Sequence, residues 1–139
     1  MSKEHHYQLT VNWQSETGTQ SYNSYTRDHT INVEQKAAIE ASSDPDFRGN
    51  KNKHNPEERL LASIASCHML WYLHFCAVNS VVVTDYKDEA SGVMEVSNNG
   101  SGRFISVTLK PRVTISEEAM LSKAKELHNE ANKFCFIAN

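Results

Sequence analysis

The stretch that most constrains this chain is His54–Val78, HNPEERLLASIASCHMLWYLHFCAV, which reads as one long apolar helix with a charged start. Asn55 suits the N-cap and Pro56 the first helical position, while Glu57 and Glu58 bring negative charge and a capping box to the first turn. Leu60, Ile64, Cys67, Trp71 and His74 recur at spacings of four and three, so one stripe carries a thiol between apolar neighbours. Leu61, Ala65, Leu73, Phe75, Cys76 and Val78 make the opposite side apolar too. A helix of this kind has to be enclosed by a sheet, by a second chain, or by both. Ser63, Ser66, His68 and His74 interrupt it, which argues against a membrane span.

Strand-like segments flank the helix on both sides. Tyr7–Gln14 alternates as a strand, and Thr17-Gly18-Thr19 turns toward extended segments at Ser21–Arg27 and Thr30–Glu34. Lys36–His54, with Ser42-Ser43-Asp44-Pro45 and Arg48-Gly49-Asn50, reads as a surface loop with a short helical turn at Ala37–Ala41. After the helix, Val81–Lys87 is β-rich and Gly92–Ser97 alternates. Asn98-Asn99-Gly100-Ser101-Gly102 signals a hairpin, and Arg103–Ile115 continues as a long strand that Pro111 bends or ends. Ser116-Glu117-Glu118-Ala119 opens a second helix through Ala119–Lys133. Blocks of strands with helices between them predict an α+β fold.

With 139 residues the chain suits one domain, 1–139, large enough for a core of its own. A net charge of -3, with 14 scattered Lys and Arg, offers no field for nucleic acid or an anionic membrane, so neither is an expected partner. The N-terminal MSKEHHYQL lacks the apolar run of a secretory signal, and the expected location is the cytoplasm. Three cysteines, an odd number, speak against a secreted disulfide framework and leave free thiols, redox chemistry or metal binding open.

Cys67 and Cys76 are nine residues apart, about 13.5 Å of rise and half a turn out of phase, so they cannot meet on one straight helix. Cys76 reads as core. Cys135 lies just past the last helix, on a short segment able to carry it toward Cys67 as a reversible disulfide partner. Buried cysteines commonly do no more than pack. A peroxide-reducing cysteine must be a thiolate, which needs a nearby cation, and its sulfenic acid needs a second thiol. Arg27 and Arg48 are the candidate cations. Glu57 lies ten residues before Cys67, about 15 Å along the axis, so any role beside a thiol must be played toward a second subunit. Its ordinary role is to cap its own helix.

The run Asn55-Pro56-Glu57-Glu58-Arg59-Leu60-Leu61-Ala62, then Ala65-Ser66-Cys67-His68, with a second cysteine at Cys135, resembles the OsmC/Ohr family of hydroperoxide-reducing proteins. The resemblance covers nearly the whole chain. It implies an OsmC-like α+β fold, with antiparallel sheets around a long buried central helix, in an intertwined homodimer with active sites at the subunit interface. It further implies reduction of organic hydroperoxides without a metal or organic cofactor. By position, Cys67 is the implied peroxidatic thiolate and Cys135 the resolving cysteine. The implied activating arginine is Arg27, in the Ohr-type position, or Arg48, in the OsmC-type position, with Glu57 orienting it. A dithiol of lipoyl type is the implied reductant. Tyr22, Tyr25, Phe47, Trp71 and Phe136 are candidates for an apolar substrate wall, against the commoner reading of core aromatics. His68-Met69-Leu70-Trp71 differs from the best-known members and suggests a separate branch. A final strand expected of the family would have only four residues after Cys135.

Three readings compete. Cys67, His68 and His74 have the chemistry of zinc ligands, but residues 67 and 74 lie about 10 Å apart along the helix, too far for one ion. Cys67 and His68 point about 100° apart, which rules out a Cys-His hydrolase dyad. A non-catalytic OsmC-like ligand-binding or stress-response dimer with an idle thiol is the third, and rapid alkylation of Cys67 would separate it from the enzyme.

Overall fold

A computed structural model describes residues 2–139. Its contacts group into two compact units, 1–59 and 60–139.

In the first unit, β1 (Thr10–Asn12), β2 (His29–Asn32) and β3 (Ile39–Ala41) form a three-stranded antiparallel sheet in chain order. Val11 pairs with Ile31, and Ile31 with Ile39. The sheet differs from the sequence reading in two places. Ser21–Arg27 is a run of bends and turns, because the Arg27 side chain gathers the backbone carbonyls of Tyr22 and Tyr25 that a strand would need for pairing. Ala37–Ala41 is extended where a helical turn was expected. Gln35 takes a left-handed φ of 67° and Lys36 N–H donates to the Val33 carbonyl (3.0 Å), closing a tight turn that lays β3 back on β2. Beyond β3, a 3-10 turn at Pro45–Phe47 leads to Arg48, left-handed at φ 63°. Gly49 follows, where a Cβ would sit 1.6 Å from the Ser43 carbonyl oxygen, so only glycine lets this loop close.

The long helix, α1 (Pro56–Val78), begins as its sequence predicts. Asn55 Oδ1 accepts from Glu58 N–H (2.9 Å), and Glu58 Oε1 accepts from Asn55 N–H (3.0 Å), a reciprocal capping box. Its far end is a Schellman turn. Val81 N–H donates to the Cys76 carbonyl (2.9 Å) and Ser80 N–H to that of Ala77 (3.4 Å), with Ser80 at φ 60° in the place where glycine is usual.

The second unit pairs β4 (Val83–Asp88) with β7 (Pro111–Ile115) and β5 (Ser91–Val96) with β6 (Gly102–Thr108), all antiparallel. The β5–β6 hairpin turns at the expected residues, with Gly100 at φ 91°. Pro111 ends the long strand, and the residues after it change partner from β5 to β4. A 3-10 turn (Glu118–Met120) opens α2 (Leu121–Phe134).

The buried stripe of α1 is His68, Tyr72 and Cys76, one position round from the Cys67, Trp71 and His74 stripe expected. The shift has a polar cause. The Tyr72 hydroxyl donates to the Ala124 carbonyl of α2 (2.8 Å), and His68 Nε2 and His128 Nδ1 are 3.0 Å apart. These two rings are 3° from parallel, with centroids 5.3 Å apart, so they meet end to end and share one proton along the line between them. Tyr72 stacks on His128 at 3.9 Å. Ala124, Leu127, Ala131 and Val81 complete the core around Tyr72 and Cys76.

The rest of α1 is less enclosed than the sequence suggested. Leu70 (62 % exposed) and Val78 (63 %) face outward in the single chain. By length and composition alone the helix is apolar enough to cross a membrane, contrary to the reading from its serines and histidines, although its inner stripe packs against α2. Such an uncovered apolar face calls for a partner surface.

Two tests follow from these contacts. Replacing Asn55 with alanine removes one half of the capping box and should lower unfolding free energy by about 1 kcal/mol in urea titrations. Burial holds both His68 and His128 below the ordinary histidine value of 6.5, and their mutual repulsion lowers His128 further, while Asp88 acts the other way. The folded state therefore binds fewer protons than the unfolded chain. Stability should be complete above 6.5 and fall as pH drops through that value toward the folded pKa values, and a His68→Gln/His128→Gln variant should show a flatter urea-midpoint profile between pH 7.5 and 5.5.

Candidate active site

Trp71 organises the site in the second unit. It lies one helical turn after Cys67, about 6 Å along α1 on the same side. Phe134 and Phe136 pack against it with centroids at 5.2 and 5.4 Å, and Phe134 also meets Phe75 at 5.1 Å. These two phenylalanines bracket Cys135, so the clamp on Trp71 carries the second thiol to the first. Cys135 leaves the helix with extended backbone (φ -64°, ψ 114°) and is buried at 1 % exposure.

Hydrogen bonding from Cys135 and from the backbone of Phe136 and Ile137 favours the Cys67 thiolate. Burial pushes the Cys67 pKa up, but these donors outweigh it and hold the thiol below its ordinary range. Cys135 moves the other way: burial raises it and so does its bond to Cys67, against the N–H groups of Ala138 and Ile137. The first proton to leave the pair is therefore that of Cys67, which is half-buried, while Cys135 stays a thiol. Both are free cysteines in this reduced form. Burial also raises Cys76, which is sealed beneath Tyr72.

Beside Phe136 an open apolar pocket of about 290 Å³ is lined by Leu70, Trp71, His74 and Phe136. Phe136 itself is 75 % exposed. Two of the five aromatics expected in a substrate wall, Trp71 and Phe136, thus meet here. Tyr22, Tyr25 and Phe47 belong to the first unit.

There, Arg27 is the more firmly held of the two arginines. Its Nη1 donates to the Tyr25 carbonyl (2.7 Å) and its Nη2 to that of Tyr22 (2.8 Å), with the guanidinium over the Tyr25 ring at 3.7 Å. It borders a mostly apolar cavity of about 420 Å³ with Val11, Trp13, Tyr25, His29 and Pro56. Arg48 is exposed, its guanidinium 6.0 Å from the Tyr22 ring, and Phe47 before it is exposed as well. Glu57 stands in the first turn of α1 next to the capping residue Glu58, and among the described residues it forms no ion pair with Arg27 or Arg48. No group of three His, Cys, Asp or Glu among the described residues is arranged to hold a metal ion. The donors missed from sequence are the N–H groups of Phe136 and Ile137, which carry no side-chain signature.

The family profile described as OsmC-like protein matches residues 49–139, so this chain belongs to the OsmC-like family and has its α+β fold. A solved OsmC-like protein of unknown function from Vibrio cholerae O1 biovar eltor is similar over 100 % of this chain and 93 % of its own, with 29 % identity and a TM-score of 0.85. An organic hydroperoxide resistance protein from Elizabethkingia anophelis superposes at 0.70 with 14 % identity, covering 100 % of this chain and 89 % of that one. One from Bacillus subtilis gives 0.66 and 19 %, covering 96 % and 88 %. At those identities the likeness is one of fold. No curated protein matches the chain.

Iodoacetamide near neutral pH should modify Cys67 well before Cys135, and Cys76 only after denaturation, with the order read by tandem mass spectrometry.

Proposed function

We propose that this protein reduces organic hydroperoxides to alcohols as a cytoplasmic homodimer, with Cys67 as the attacking thiolate and Cys135 as the resolving thiol. The observation that carries the reading is the packing of Phe134 and Phe136 on Trp71, which brings Cys135 to the turn of α1 that follows Cys67, with Cys67 held below and Cys135 above the ordinary thiol range, in a chain of the OsmC-like family. The Cys67 thiolate attacks the terminal oxygen of ROOH. An S–O bond forms, the O–O bond breaks, and the alkoxide takes a proton from the medium to leave as ROH. The Cys135 sulfur then attacks the sulfenic sulfur. The S–S bond forms, and the hydroxide displaced from Cys67 leaves as water with the Cys135 proton. A dithiol, of lipoyl type in this reading, reduces the bridge by two exchange steps and is itself oxidised to a disulfide.

The bare side of α1 supports the dimer, since Leu70 and Val78 need cover. Glu57 and an arginine then act across the subunit interface. Arg27 is the stronger candidate of the two because it already borders a cavity with Tyr25, and an Arg27–Glu57 pair would fix the guanidinium plane toward the thiolate and the peroxide. The apolar pocket at Trp71 and Phe136 suits a peroxide with a hydrocarbon body better than hydrogen peroxide.

One equivalent of cumene hydroperoxide should convert the protein to a form bridged between residues 67 and 135 by mass spectrometry. Cys67→Ser should abolish consumption, and Cys135→Ser should complete one turnover and then stall as sulfenic or over-oxidised Cys67. Sustained turnover by Cys67→Ser would overturn the assignment, and an inert Cys67 in the native dimer would indicate a binding protein instead.

A further inference from the structure

We propose that the His68–His128 pair is an acid-sensitive latch that holds α2 on α1, with Asp88 placed to receive the imidazolium released when the latch opens. The inference goes beyond the function proposed above and needs no peroxide chemistry.

The latch is a single line of atoms. His68 Nε2 and His128 Nδ1 stand 3.0 Å apart in rings 3° from parallel, with one proton between them. One added proton can settle on an outer nitrogen and leave that bond in place. A second makes both facing nitrogens donors, and two N–H groups cannot stay head to head at that distance. The pair is closed while it shares a donor and an acceptor, and open when both rings are charged.

The surroundings oppose the charged form and give it one place to go. From α1, Tyr72 stacks on His128 at 3.9 Å and spends its hydroxyl on the Ala124 carbonyl (2.8 Å). From β4, Tyr86 meets Tyr72 at 5.8 Å, and Asp88 follows two residues later on the same face of the strand. Pro111, the ladder partner of Asp88, lines a cavity of about 150 Å³ with Tyr72, His128 and Lys125. β7 brings only Pro111, Val113 and Ile115 to that cavity, so Lys125 of α2 is the one other cationic side chain in its lining. Asp88 Oδ1 accepts from Lys110 N–H (2.7 Å), but Asp88 Oδ2 and the Tyr86 hydroxyl are buried with no hydrogen-bond partner among the described residues. Such orphaned groups call for an explanation. An unused carboxylate lone pair on the wall beside two imidazoles is an acceptor in reserve. Burial disfavours charging either ring, while the Asp88 charge favours it at both.

Opening acts on the thiols through α2. His128 precedes Cys135 by seven residues, about 10.5 Å along that helix. Between them Ala131 is sealed in the core, and Phe134 then meets Trp71 and Phe75 of α1. A helix released at His128 lifts this side from α1 and uncovers Cys135, which is buried in the closed form.

The reagent 4,4′-dithiodipyridine, which reacts with thiols in acid as well as at neutrality, reads the opening. Its rate at Cys135, relative to a free cysteine peptide, is followed by mass spectrometry between pH 7.5 and 5.5, with amide exchange of α2 and of the β4–β7 ladder alongside. In the native protein the Cys135 rate and α2 exchange should rise together, by up to about ten-fold per pH unit for each proton taken up, while the β4–β7 ladder stays protected. His68→Gln/His128→Gln, whose amides can hydrogen-bond at any of these pH values, should stay flat, and Asp88→Asn should need a lower pH to open. A native rate that ignores pH overturns the proposal, as does an equal rise in the glutamine pair. Loss of β4–β7 protection in step with Cys135 overturns it too, because that is unfolding of the whole unit. If the glutamine pair does not fold, the ¹³Cε1 signals of His68 and His128 in the native protein decide: titration in step with the Cys135 rate supports the latch, and titration apart from it removes the latch. None of these readouts contains hydroperoxide, so the latch and the peroxidase can fail separately.

Discussion

The seating of Trp71 between Phe134 and Phe136 is the contact on which the thiol pair depends. Cys67 belongs to a helix interior and has little freedom, so the meeting of the two sulfurs is decided by where α2 ends. Three aromatic rings fix that end over the turn of α1 that follows Cys67. Each such pair contributes about 0.5–1.5 kcal/mol beyond its burial, and the two on Trp71 together exceed the thermal energy that would let the terminal turn drift. Two of those rings, Trp71 and Phe136, also line an apolar pocket open to solvent with Leu70 and His74.

A second dependency links α1 to α2 further in. The end-to-end His68–His128 pair and the Tyr72 hydroxyl on Ala124 are directional contacts in a core otherwise made of apolar residues. Polar contacts of this kind set rotation and register where apolar contacts would tolerate slippage. They also explain why the inner stripe of α1 runs through residues 68, 72 and 76. Rotating His68 inward leaves Cys67 at the border of the core, half-buried, where a thiol can be both tuned and approached.

Much of this was legible in the sequence. Asn55, Pro56 and Glu58 spelled out the start of α1, and Asn98–Gly102 the hairpin, because caps and turns are local and their residues act on their own backbone. Pro111 was rightly suspected of ending a strand, although its new partner was a long-range matter. Ser21–Arg27 misled because its alternation is that of a strand while a single arginine side chain captures two of its carbonyls. The stripe of α1 misled because every face is apolar, and apolarity alone cannot say which face meets α2. The cysteines were recognised through family resemblance and spacing. The peptide donors around Cys67 could not be, since every residue but proline offers the same group. Arg27, Arg48 and Glu57 lie on the first unit, and their joint role depends on an assembly that one chain does not contain.

The burial of Cys76 carries a consequence for damage. Three sulfurs permit three different crosslinks, but Tyr72 covers one of them and helix phase keeps it from Cys67. Of these, the Cys67–Cys135 crosslink alone stays open within one chain, so disulfide exchange has no scrambled isomer in which to become trapped.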